Sequence, residues 1–100
     1  MEAVYAPDRP TSQHAEVFKV ASRSHVTSVA GAIAGVIRGH GRVELQAIGA
    51  GAVNQATKAI AIARNYLAED GLDVVSIPTF ATVSVADQER TAVTLIVEPR

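Results

Sequence analysis

The stretch RVELQAIGAGAVNQATKAIAIAR, residues 42–64, decides the fold. Its first part alternates. Val43, Leu45 and Ala47 fall on one side, Glu44 and Gln46 on the other, the period-two pattern of a half-buried strand over residues 42–48. Gly49-Ala50-Gly51 then turns the chain tightly, and the apolar spacing changes from two to alternating threes and fours. Val53, Ala56, Ile60, Ala63 and Leu67 make one stripe and predict a helix over residues 51–68. Gln55, Lys58, Asn65 and Glu69 take the opposite side with Ile62, and Glu69-Asp70-Gly71 closes the helix.

Upstream the same grammar repeats. Residues 16–21, EVFKVA, alternate as a strand with Lys19 pointing out. Ser22-Arg23-Ser24-His25 is a polar loop. Thr27 or Ser28 stands where a helix N-cap belongs, since a hydroxyl there accepts a bond from a free first-turn amide. Val29, Ile33, Val36 and Ile37 carry the first helix to about Gly39. Gly31, Gly35 and Gly39 fall four residues apart, a flat strip where another backbone can come close. The expected neighbour is this chain's own sheet or second helix, and a helix–helix dimer contact is the alternative. Gly39-His40-Gly41 turns into the strand already read.

Downstream, residues 72–86 are rich in β-formers, with Pro78 marking an edge position or a bend. Ala81 to Val85 alternate strictly. Asp87-Gln88-Glu89-Arg90 reads as a hairpin connection, and Thr91 to Val97 as a final strand. The order is β-α-β-α-β-β. This is an α/β chain, an α+β sandwich, with a four-stranded mixed sheet and both helices on one face. The other face is expected to be partly exposed or covered by a partner subunit. Residues 1–15, with two prolines and no periodicity, read as a flexible N-terminal arm, and residues 16–100 as one domain.

Composition narrows the function. The chain has 100 residues, no cysteine and a formal net charge of −1. Disulfide scaffolds, thiolate chemistry and cysteine-based zinc sites are excluded. The N-terminus lacks the basic and apolar segments of a signal peptide, and no apolar run approaches the roughly 20 residues of a membrane span. A cytoplasmic location is expected, with no membrane partner. The charge is uneven. Residues 1–16 hold Arg9 against Glu2, Asp8 and Glu16. Residues 17–64 hold Lys19, Arg23, Arg38, Arg42, Lys58 and Arg64 against Glu44 alone, a balance of +5. Residues 65–100 hold Arg90 and Arg100 against Glu69, Asp70, Asp73, Asp87, Glu89 and Glu98, a balance of −4. The folded domain can thus present a basic face, or carry ordinary solubility charge.

Catalytic machinery is not expected. The Gly-Ala-Gly turn does not complete a dinucleotide fingerprint, because Asn54 stands where the third glycine belongs. No phosphate-loop Gly-Lys-Ser/Thr occurs. His14, His25 and His40 are isolated, so no metal and no cofactor is expected. Ser22, Ser24 and His25 lack an orienting carboxylate that sequence can place. What remains is an anion cradle: Gly49 and Gly51 lead into a helix whose free amides and positive dipole end favour a phosphate. The same glycines equally serve a tight turn against the sheet.

These stretches resemble a known family. Residues 28–38, SVAGAIAGVIR, residues 44–64, ELQAIGAGAVNQATKAIAIAR, and residues 89–100, ERTAVTLIVEPR, are similar to the stage V sporulation protein S family of bacteria. The resemblance spans about residues 17–100. It implies an Alba-like fold of the same β-α-β-α-β-β order, a homodimer or higher homo-oligomer, and contact with the backbone of DNA or RNA in a regulatory, sporulation-linked role. It points to the loop after the first strand, the start of the second helix and the terminal hairpin. Those positions hold Lys19, Arg23 and Ser24, then Asn54, Gln55 and Lys58, then Arg90. The near-neutral charge and acidic last third keep open a different expectation, a protein–protein scaffold built on this fold without nucleic acid.

Overall fold

The computed structural model describes residues 15–100. Its elements are β1 (Ala15–Val20), α1 (Val26–Arg38), β2 (Arg42–Ala47), α2 (Ala50–Ala68), β3 (Val74–Val85) and β4 (Gln88–Pro99). The expected arm, residues 1–15, lies outside the described residues except for Ala15, which opens β1.

The strands form one sheet in the order β1-β2-β4-β3. β1 and β2 run parallel, with Phe18 opposite Leu45. A parallel pair needs a crossover, and α1 supplies it. α2 carries the chain past β2 to the far edge, where β3 begins. The hairpin then folds β4 back antiparallel into the gap, Leu45 opposite Leu95 and Leu95 opposite Pro78. Pro78 therefore sits on an edge strand, the place where a missing N–H is tolerated.

Alternation sorts the sheet into two sides. Val43, Leu45, Leu95 and Val97 share the side that meets the helices and are buried there. α1 adds Ala30, Ile33, Ala34 and Ile37, and α2 adds Ala56, Ala59, Ile60, Ala63 and Leu67. So many alanines let two helices lie close to the sheet and to each other. The predicted stripe of α2 is buried at Ala56, Ile60, Ala63 and Leu67, and only at its start does Ala52 replace Val53, which is half-buried. The opposite side of the sheet carries Lys19, Gln46, Ile77 and Thr94 by register.

Three details depart from the sequence reading. α1 starts at Val26 with His25 as its N-cap residue, and no side chain caps it, so the hydroxyls of Thr27 and Ser28 are not used that way. Gly31 and Gly35 pack on no other element among the described residues: a Cβ at either would find no neighbouring atom within 4 Å. Burial of Ile33, Ala34 and Ile37 rotates the helix so that these glycines face outward. Last, the hairpin turns at Ala86-Asp87, with φ of 51° and 63°, and β4 already begins at Gln88. That two-residue turn with both φ positive matches the strand twist, so Arg90 lies within a strand and not in a loop.

Candidate functional site

Topology brings several loops to one end of the sheet. β1 and β2 are parallel, so α1 and α2 both start at the end where those strands finish. β4 is antiparallel to β2, so the hairpin turn lies at the same end. The loop of residues 21–25, the start of α2 and the hairpin arm are neighbours there for topological reasons alone.

Local contacts set the shape of this end. The Ala21 amide donates to Ser24 Oγ at 2.9 Å, and the Ser24 amide donates to the Ala21 carbonyl at 3.0 Å, closing the loop on itself. Gln55 Nε2 donates to the Ser24 carbonyl at 3.0 Å and ties the loop to α2. A Cβ at Gly51 would stand 3.0 Å from Ser22 Cβ, so the glycine permits this close approach. Gly49 has φ 90° and ψ 158°, a conformation open in practice to glycine alone. Serine and glutamine here act first as struts. Arg23, Asn54 and Lys58 are exposed, with Lys58 one helical turn beyond Asn54. Lys19 borders a cavity of about 340 Å³ shared with Ser22, Gln46, Ile48 and Val83 to Val85, so the hairpin arm bends over the open side of the sheet. Arg90 pairs with Val83 on that arm and is exposed.

Neither helix start has a side-chain cap, and neither has an acidic residue in its first turn. Each leaves first-turn amides and a positive dipole end facing this rim. The charged side chains divide in the same direction. Arg38 holds Asp70 at 2.6 Å, Arg42 holds Glu44 at 3.0 Å, and Arg64 and Arg100 both hold Asp73 at 2.8 and 2.9 Å. Among the described residues, Lys19, Arg23, Lys58 and Arg90 are in no ion pair. The Arg64 hydrogen bond, reinforced by the Val74 amide and Arg100, holds the Asp73 carboxyl down at about 2. The same bond raises Arg64. Those cations are committed to folding, and the four unpaired ones are not.

Sequence reasoning placed Lys19, Arg23, Ser24, Asn54, Gln55, Lys58, Arg90, Gly49 and Gly51 at this end. The structure joins the loop after β1 to the start of α2 through Gln55 and Gly51, and joins Lys19 to the hairpin arm across the cavity. It shows no contact that ties Asn54 or Lys58 to the others. The reading missed Gln46, Ile48 and Ser84. Gln46 carried a signal, its outward phase in β2, but nothing in sequence says that the arm bends toward it.

The sequence model of the family described as Stage V sporulation protein S (SpoVS) matches residues 16–100. The chain belongs to this family. The match begins one residue into β1 and runs to Arg100, so it covers both helices, all of the sheet but Ala15 and every candidate site residue. The family's description ties the chain to sporulation. Among the described residues no group of three His, Cys, Asp or Glu could hold a metal ion, and no helix is long and apolar enough to cross a membrane.

Proposed function

We propose that this SpoVS-family chain is a non-catalytic regulator that grips the sugar–phosphate backbone of DNA or RNA as a homodimer in the cytoplasm. One observation carries the reading: Lys19, Arg23 and Arg90, in no ion pair among the described residues, lie with two uncapped helix starts at one end of the sheet, and the equally unpaired Lys58 follows two turns into α2. Lys19, Arg23, Lys58 and Arg90 supply charge, Asn54 and Gln55 hydrogen bonds, and the amides after Gly49 a cradle for one phosphate. Such contacts fix position on the backbone and read little sequence. Ser24, half-buried and held by Ala21, keeps the loop in shape.

Fluorescence anisotropy with short labelled duplex DNA and single-stranded RNA tests this. Binding at low salt that weakens in an Arg23→Ala, Lys58→Ala double variant is expected, with Arg38→Ala unchanged. No binding of either probe at low salt would overturn the reading. It would favour instead a protein scaffold, a second reading that rests on the wide exposure of Phe80 and on Ile77 and Val85.

A further inference from the structure

The side of the sheet away from the helices is uneven along its length. Toward the rim, Lys19 and Arg90 are exposed. Toward the opposite end of the same side, Arg42 and Glu44 are only 13% and 27% exposed, and Thr94 in the middle of the face only 6%. Both helices lie on the other side, and no helix or strand among the described residues crosses this end. Arg42 donates from one terminal amine to Glu44 Oε2 at 3.0 Å, while its Nε is buried with no hydrogen-bond partner among the described residues. A donor shut away from water and left idle is costly, so it points to an acceptor beyond those residues. Around this pair the face is apolar: Val17 and Ile77 are exposed and Ile96 is half-buried.

We propose that residues 1–14 cross this end of the face as a strap, with the Asp8 carboxylate on Arg42 Nε and with Val4 and Tyr5 on Ile96 and Ile77. The point of attachment supports this occupant. The segment joins β1 at Ala15, which lies opposite Arg42, so the strap starts beside the group it serves. Its order fits the order of the strands. Asp8 comes first after the turn back and meets β2, and Val4 and Tyr5 follow onto β4 and β3. Ten residues separate Tyr5 from Ala15, a reach of up to ~33 Å, against the ~15 Å of three strand spacings. The slack covers the reversal onto the face. Pro7 and Pro10 each lack an N–H and disfavour pairing along the outer edge of β1, so the segment crosses the strands by its side chains and adds no strand. A tyrosine suits a half-wet face, its ring on the isoleucines and its hydroxyl in water. The carboxylate complements the one cation of the patch, whose fork has a free side for it. The family model begins at Glu16, after the strap.

Nuclear magnetic resonance on the full chain tests the strap. Nuclear Overhauser contacts are expected from the Tyr5 ring to the methyl groups of Ile77 and Ile96 within one chain. The Arg42 Nε proton is expected to exchange about tenfold more slowly than that of the exposed Arg23, as a group shielded from water does. A Val4→Ser, Tyr5→Ser double variant should speed that exchange several-fold with an unchanged far-ultraviolet circular dichroism spectrum. Asp8→Asn should also speed it while the Tyr5 contacts persist. Four results would each overturn the proposal. Tyr5 contacts to neither isoleucine would do so, as would contacts to Ile60 and Leu72 on the helix side. Contacts seen only between differently labelled copies would give the face to a second chain. Arg42 exchange unchanged in either variant would mean that the strap does not cover it.

Discussion

Replacing Arg23 and Lys58 by alanine removes two of the four Lys and Arg side chains that hold no carboxylate among the described residues, and the loss is readable as a salt slope. Each phosphate neutralised on duplex DNA releases counterion, so the logarithm of affinity falls against the logarithm of salt with a slope of about −0.9 per contact. With Lys19, Arg23, Lys58 and Arg90 all engaged, one protomer gives a slope of about −3.6, and raising salt from about 50 to about 200 mM weakens binding about 150-fold. The double variant keeps two contacts, a slope of about −1.8, and loses only about 12-fold over the same range. Both side chains are exposed and make no ion pair among the described residues, so the fold is expected to stand. The assay is anisotropy of a labelled duplex at four or more salt concentrations, with Arg38→Ala alongside. Arg38 is already bonded to Asp70 and should leave the slope alone. A slope unchanged in the double variant, or lowered as much by Arg38→Ala, would refute the division of the charges.

Ala86 sits at φ 51°, costly for a residue with a Cβ, so Ala86→Gly should stabilise the chain by about 0.5–1 kcal/mol in urea unfolding. Asp73 is held at about 2, below its ordinary 3.8, so its contribution is present above about pH 4 and is lost as pH falls toward 2. Thermal unfolding across that window should show this loss, and Asp73→Asn should flatten it while lowering stability at neutral pH. Gln55→Ala leaves the half-buried Ser24 carbonyl without its donor and should cost about 1 kcal/mol. It should also speed amide exchange at Ala21 and Ser24, and unchanged exchange would mean that the loop holds its shape without α2.

Much of the fold lay in the sequence because its elements obey simple periods. The alternation of Val43, Leu45 and Ala47 and the stripe from Ala56 to Leu67 place β2 and α2 without tertiary help. The start of α1 was hidden because two hydroxyls stood ready to cap and neither does, the cap position falling to His25. The hairpin turn was hidden because Ala86 is no turn residue, and the register of β3 with β4 imposes its conformation. The candidate site was legible as residue types and not as charge. Counting by segments made the middle basic and the end acidic, yet the fold cancels the two against each other. Arg38 reaches Asp70 across 32 residues, and Arg64 takes Asp73. What survives that cancellation among the described residues is Lys19, Arg23, Lys58 and Arg90 outside any ion pair, which a linear count cannot separate from the paired cations.

The bare start of α1 has a consequence for motion. A helix interior carrying Gly31 and Gly35 gives up roughly 1 kcal/mol at each relative to alanine, and no side chain caps its first turn. Its cohesion comes from Ala30, Ile33, Ala34 and Ile37 within the core, with the half-buried Val26 and Val29 of the first turn packed against it. The turn from Val26 to Val29 is thus held by those two valines and by no cap. A phosphate arriving at that turn would act as the cap the sequence omits. Under the proposed function, ligand occupancy and the winding of the first turn would then be one equilibrium, each tightening the other.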